Sequence, residues 1–266
     1  MWLSVVGKYS ILSWRIFRAN LASAMSFRLS FLFYVIGAMI FHAGQFLVWI
    51  MFFKQFPLIG GWTTNDVILA NSLFLFSYSV IDAFAGGITE LADMITMGGL
   101  DYFLGLPKPV LWHVAVSKSD MTSLGTIVLS LGFFVGFTTV TFSKIVLFLC
   151  ASCLSVILIF NFFVITQSIA FWVGGFDQAA SMARHILRVA ITYPFSVFPC
   201  PFNYIFMTII PSFFVVTLPM QLVNDFSITT LITLIGVCIL SSIGTLLIFS
   251  RGLRRYESGN LMNVRI

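Results

Sequence analysis

The residues able to do chemistry are few, and their spacing narrows what they can do. The three histidines, His42, His113 and His185, lie in separate segments, and no H-E-x-x-H pair offers a zinc site. No G-x-x-x-x-G-K-[ST] loop is present to cradle nucleotide phosphates, and no G-x-S-x-G turn presents a serine nucleophile. Gly98-Gly99-Leu100-Asp101 departs from the G-x-G-D of intramembrane aspartyl proteases. Cys150 and Cys153 form a C-x-x-C, but inside LFLCASCLSVILIF, with no His, Asp or second pair nearby. They read as thiols in an apolar helix rather than a redox or metal pair. Two features remain. Asp82 is an acid in an otherwise apolar stretch, and His42 and Gln45 stand three apart on one helical face. A carboxylate at mid-membrane costs about 2.5–3.5 kcal/mol on insertion scales. Asp82 lies near the end of its stretch, so a carboxylate reaching the interface is favoured over a catalytic one. His42 and Gln45 either line a pathway or hydrogen-bond between helices.

The elements that hold these residues follow from composition. Of 266 residues, 59% are hydrophobic and 9% charged, with 31 phenylalanines. An ordinary soluble domain carries about 25% charged residues, so most of the surface charge that water demands is missing. Mean hydropathy is +1.04. Lipid is the solvent for most of the chain, which excludes a soluble enzyme, a secreted disulfide scaffold and a disordered protein. The net charge of +5 fits basic loops beside anionic lipid. No basic cluster is interleaved with aromatics as nucleic-acid binding would need. Ala22-Ser23-Ala24 resembles a signal cleavage site, but Arg15 and Arg18 interrupt the apolar run before it, so no cleaved signal is expected.

The predicted fold class is an all-α polytopic membrane protein. Residues 1–28 form an amphipathic interfacial helix: Ser4, Gly7, Lys8, Arg15 and Arg18 share one arc opposite Trp2, Tyr9, Ile16 and Phe17. Residues 29–266 form a single transmembrane domain. Stretches near the required 20 apolar residues occur at 29–53, 67–85, 121–141, 145–173 and 228–249. Residues 88–120 are too polar to cross, with Glu90, Asp93, Asp101, Lys108, Lys118 and Asp120. From 189 to 222 the chain is apolar but broken by Pro194, Pro199, Pro201, Pro211 and Pro219. Each proline removes a backbone donor, and broken backbone at membrane depth needs cover from protein or a cavity. This predicts a shortened span at 187–198 and a re-entrant helical hairpin at 199–222.

Six spans with the N-terminus inside place twelve lysines and arginines inside and two, Lys54 and Lys144, outside. That asymmetry supports both the even count and the orientation, with both termini cytoplasmic.

The chain resembles the permease subunits of ABC-2-type ABC transporters. The resemblance rests on a G-x-L-D-x-x-L-x-x-P loop (Gly98, Leu100, Asp101, Leu104, Pro107), with Tyr102 among them. It rests also on a Y-P…F-P…I-P…P region (Tyr193-Pro194, Phe198-Pro199, Ile210-Pro211, Pro219) and a G-L-x-x-Y tail (Gly252-Leu253, Tyr256). Leu106 stands where the family often has a basic residue before the loop proline. The resemblance implies a half-transporter in a bacterial inner membrane, whose loop after span two docks on a separate ATPase subunit. ATP and Mg would sit on that ATPase, and this chain would bind no cofactor of its own. It would work as an exporter, paired as a homodimer or with a second permease; the apolar, aromatic-rich composition suits an amphiphilic, drug-like or lipid-like substrate. ATPase coupling is expected at Gly98, Leu100, Asp101, Tyr102, Leu104 and Pro107. A pathway is expected near His42, Gln45, Tyr193, Pro194, Pro199 and Pro211. The rival readings are an intramembrane enzyme using Asp82 or His42 and a non-transporting membrane scaffold.

Overall fold

The computed structural model describes residues 2–107, 109–193, 197, 199–200 and 202–257, with 2–8, 203 and 206 described by backbone alone. The described residues are helical throughout, apart from turns and one isolated bridge between Ile59 and Trp62. Helix α1 (Trp2–Ala24) passes through a 3-10 turn into α2 (Arg28–Gln55), and α3 (Thr64–Ala85) follows the bridged turn. The connecting segment holds a 3-10 turn (Gly86–Glu90), α4 (Leu91–Thr96), α5 (Leu100–Leu104) and α6 (Val110–Ser117). Then come α7 (Ser123–Phe137), α8 (Phe142–Ser168) with a 3-10 turn (Ile169–Phe171), and α9 (Asp177–Thr192). The last part is α10 (Phe202–Thr208), a π-helical turn (Phe213–Thr217), α11 (Leu218–Asn224) and α12 (Ile228–Arg255).

Four of these stretches, through α2, α3, α8 and α12, are long and apolar enough to cross a bilayer. Apolar helices in lipid gain little from mutual burial, so polar contacts and close packing decide which pairs touch. Helix α3 is the central one: 72% of its apolar stretch is buried in the protein, against 6% of that through α2 and 17% of that in α12. It packs chiefly on α7 and α8. Ser79 meets Thr126 of α7 at 2.6 Å, and Ser77 donates to the Ser152 carbonyl of α8 at 3.2 Å. Helix α12 joins α8 through Asn161, whose amide donates to Ser241 and Ser242 at 2.9 Å each. At its N-terminus α3 carries a Thr63–Asp66 capping box, and Asp66 also accepts from Asn224 of α11 at 2.8 Å.

Two elements differ from the sequence expectation. The stretch expected at 121–141 is a shorter helix of 15 residues, Ser123–Phe137. Asp120 caps its start by accepting from Thr122, and the β-branched run at 138–141 ends it, with Thr141 already capping α8. The helix expected at 187–198 runs instead from Asp177 to Thr192. It starts after Gly175, which has φ +69°, and stops where Tyr193 is extended (φ −109°, ψ 146°), as the residue before a proline prefers. Pro194, Phe198 and Pro201 lie outside the described residues, as do Lys108 and residues 258–266.

The proline-rich stretch holds two short helices, α10 and α11, separated by Ile209–Ser212 and the π-helical turn. Pro219 lacks the N–H that would reach the Val215 carbonyl one turn back, and the buried Ser155 hydroxyl of α8 donates to that carbonyl at 2.7 Å.

The aromatic side of α1 rests on protein. Tyr9 meets Trp112 of α6 edge-on at 5.0 Å, Phe17 stacks on Phe84 at 4.9 Å, and Arg15 and Arg18 remain exposed.

Candidate functional site

Two neighbouring regions gather polar side chains from several helices. The first is a cleft between α3 and α9. Along α3, Asn71, Phe74, Leu75, Tyr78 and Asp82 recur every three or four residues and so share one face. Along α9, Ser181, Arg184, His185, Arg188 and Thr192 do the same within an arc of roughly 100°. The opposite side of α9 is apolar and buried: Ala180, Leu187, Ala190 and Ile191 anchor it in the protein. Its polar face is thereby turned toward α3.

Between the stripes lies a cavity of about 190 Å³, closed on its other sides by His42 and Gln45 of α2 and by Asp120, Ser123 and Thr126. A second cavity of about 300 Å³ shares Tyr78, Asp82 and Arg188 with the first, and extends past Thr89 and Arg184. Arg188 donates to the Tyr78 hydroxyl at 2.7 Å, and its guanidinium stands 4.8 Å over the same ring. Asp120 donates its N–H to the Asp82 backbone carbonyl at 2.8 Å. The Asp82 carboxylate itself has no hydrogen bond and no ion pair among the described residues. Lys118–Glu90 is the one ion pair among them.

The second region joins the 86–104 segment to the helix bundle. Gln167, 1% exposed near the end of α8, accepts from the Ala92 N–H at 2.9 Å and donates to the Thr89 carbonyl at 3.0 Å. Arg184 of α9 donates to the same carbonyl. One 3-10 turn is thus tied to both α8 and α9. Beyond it, Gly98 has φ +77°, a conformation that glycine adopts without strain, and it turns the chain so that Leu100 is fully buried. Tyr102, by contrast, is 72% exposed; Asp101, Leu104 and Pro107 are exposed too. Pro107 and Tyr102 line a cavity of about 540 Å³ with Leu12 and Ile16 of α1.

The tail motif arrives at the same place. Phe171 meets Phe249 at 5.8 Å and Tyr256 at 6.2 Å. A Cβ on Gly252 would come within 2.2 Å of the Phe171 ring, so only glycine lets α12 approach this closely. Burial, and after it the Asp101 carboxylate, push the Tyr256 phenol up to about 12. Asp101 of the loop, separated from Tyr256 of the tail by most of the domain in sequence, thus acts on its phenol electrostatically, although the hydroxyl has no hydrogen-bond partner among the described residues.

Of the residues expected to line a pathway, His42 and Gln45 do line the cleft. Tyr193 instead packs edge-on against Trp49 at 5.8 Å. Pro199 and Pro211 use their carbonyls to start the next helical turns, accepting from Phe202 and Val215 at 2.9 Å each. Pro194 is outside the described residues. Sequence reasoning passes over Tyr78, Asp120, Arg188 and Thr192 in the cleft and Thr89, Gln167 and Phe171 at the junction. The spacing of polar residues in α9 carries the signal for Arg188 and Thr192. Nothing in the sequence carries one for Gln167.

A family model described as ABC-2 family transporter protein matches residues 39–259. No curated protein and no solved structure matches the chain. Since the match runs from within α2 to beyond α12, and takes in cleft, loop and junction alike, the chain is an integral membrane protein that belongs to the ABC-2 transporter family.

Proposed function

We propose that the chain is the permease subunit of an ATP-driven exporter in a bacterial inner membrane, energised by a separate ATPase that carries ATP and Mg. The family generally works with such an ATPase. The observation that carries the reading is the contrast within the loop. Leu100 is wholly buried, while Asp101, Tyr102 and Leu104 beside it are exposed. A short helix anchored on one side, with an aromatic, an acid and a leucine facing out, suits docking into another protein.

In this reading six segments cross the membrane, α2, α3, α7, α8, the segment expected at 187–198, and α12. Helices α10 and α11 form a re-entrant hairpin on the outer side, and both termini are cytoplasmic. Two permease copies, identical or not, sit on two ATPase copies. Closure of the ATPases presses on the loop from Leu100 to Pro107. Gln167 and Arg184, tied to Ala92 and Thr89, carry the displacement into α8 and α9. A shift of α9 changes the width of its cleft with α3, which holds an amphiphilic, drug-like or lipid-like substrate.

Affinity purification of the tagged chain from its native membrane tests this. An ATPase subunit is expected to co-purify with the wild type, and Asp101→Arg and Tyr102→Asp are expected to release it while the helical bundle keeps its melting temperature. Absence of an ATPase from the wild type, or its retention by both variants, rejects the docking role.

A further inference from the structure

We propose that the cleft between α3 and α9 is a headgroup site for a zwitterionic amphiphile, with Asp82 receiving the cationic group and Arg188 the anionic one. This deepens the transport reading above and rests on it.

Two opposite charges share this cleft without forming an ion pair. Asp82 and Arg188 line both of its cavities. Arg188 is exposed and Asp82 half-buried, and pairing with the guanidinium would offset the carboxylate's loss of water. They do not pair. Tyr78 holds the guanidinium through its hydroxyl at 2.7 Å and under its ring face at 4.8 Å. The Asp82 carboxylate is left without a hydrogen bond or ion pair among the described residues. Tyr78 therefore acts as a spacer that keeps opposite charges apart and available.

An occupant of one sign would satisfy one of these groups and leave the other exposed to a like charge. A zwitterion satisfies both. The wider surroundings are balanced as well, with Asp120 on the acidic side and Arg184 on the basic side. Size and access point to a headgroup with its tail elsewhere. The inner cavity holds about 190 Å³, too little for a whole lipid, and Phe41 both lines it and is 68% exposed on the outer face of α2. The cavity thus reaches the lipid-facing surface, where an acyl tail can remain in the bilayer.

Native mass spectrometry of the purified full chain in dodecyl maltoside provides the test. The probes are three hexadecyl amphiphiles with one tail: hexadecylphosphocholine, hexadecyl sulfate and hexadecyltrimethylammonium. The wild type is expected to retain the phosphocholine roughly tenfold better than either singly charged probe, the factor that one further charge-assisted interaction supplies. Asp82→Asn is expected to shift preference to the sulfate, and Arg188→Gln to the trimethylammonium. The charge-keeping variants Asp82→Glu and Arg188→Lys are expected to keep the wild-type order. No preference in the wild type, or equal loss of all three probes in both neutral variants, overturns the proposal. The second result would mean that the charges serve each other in another state of the protein. Tail-less phosphocholine, added alone, separates a free zwitterion from an amphiphile. Retention as strong as that of the hexadecyl form would overturn the amphiphile assignment. Co-purification of an ATPase with a protein that shows no headgroup preference would sink this site alone. Its absence would sink the transport reading whatever binds.

Discussion

The junction beneath residues 86–104 and the cleft between α3 and α9 adjoin one another and share the Thr89–Arg184 contact, yet they are built on opposite terms. At the junction, Gln167 has both ends of its amide engaged, Leu100 is fully buried, and Gly252 lets α12 close on Phe171. In the cleft, an acid stands unpaired among the described residues, an arginine is held by a tyrosine rather than by that acid, and two connected cavities remain open. A buried polar group that is fully satisfied stiffens its surroundings. One left open in a cavity is available to a ligand or to water. The chain is closely packed where the proposed transport cycle would transmit a push and open where it would hold a substrate.

The sharpest way to break this comparison is at Gln167. Gln167→Leu leaves the Ala92 N–H without its partner while Arg184 still serves the Thr89 carbonyl, which costs about 1–3 kcal/mol for the one buried group left open. A fall in the melting temperature of the detergent-solubilised protein is expected, together with transport that no longer follows ATP hydrolysis. A stability equal to wild type would show that the junction is not held as described. Gly252→Val comes next. Its Cβ would stand 2.2 Å from the Phe171 ring, and overpacking of this kind costs about 1–3 kcal/mol. Phe171→Ala in the same chain is expected to recover part of the loss, in a double-mutant cycle read by thermal unfolding.

The cleft predicts the reverse sign. Asp82→Asn removes an unpaired charge from a poorly solvated place, so stability is expected to hold or to rise by up to about 1 kcal/mol. Destabilisation by more than that would place Asp82 in a structural contact and erase the contrast between the regions. The smallest effect is at Tyr256, whose phenol is raised from 10 to about 12 by burial and by Asp101. A raised pKa means that the folded state holds this proton more tightly than the unfolded state. The contribution is therefore full below pH 10 and is lost as pH rises through about 12. A difference titration of wild type against Tyr256→Phe, followed by phenolate absorbance, is expected to show a midpoint above the ordinary tyrosine value. Asp101→Asn is expected to bring it down.

Much of the fold is legible in composition, because a bilayer imposes length and polarity on whatever crosses it. The stretches at 29–53, 67–85, 145–173 and 228–249 each fall within an observed helical stretch or nearly so, and the four long apolar stretches of the structure coincide with them. Helix α9 is hard to read for the same reason. Arg184, His185 and Arg188 make its first three turns look like a loop when only average polarity is weighed, although they occupy one face and leave the other apolar. The prolines of 199–222 mark a broken backbone. They cannot reveal that Ser155, far away in sequence, supplies the missing donor to Val215.

The candidate site divides in the same manner. His42, Gln45 and Asp82 stand out in the sequence because each is polar amid apolar neighbours, and the loop and tail motifs stand out by their glycines, prolines and acid. By itself, then, the sequence determined that lipid is the solvent, roughly where the long apolar helices run and which residues are costly to bury, since these depend on the chemistry of short stretches. Only the tertiary structure decided that Asp82 and Arg188 line one open cleft in which Tyr78 holds the guanidinium. It also decided that the Asp101 carboxylate acts on the Tyr256 phenol and that Gln167 ties α4 to α8. Each of these pairings depends on the angle and distance between helices far apart in the chain, and in lipid those are decided by the packing of small residues and by hydrogen bonds rather than by any local pattern.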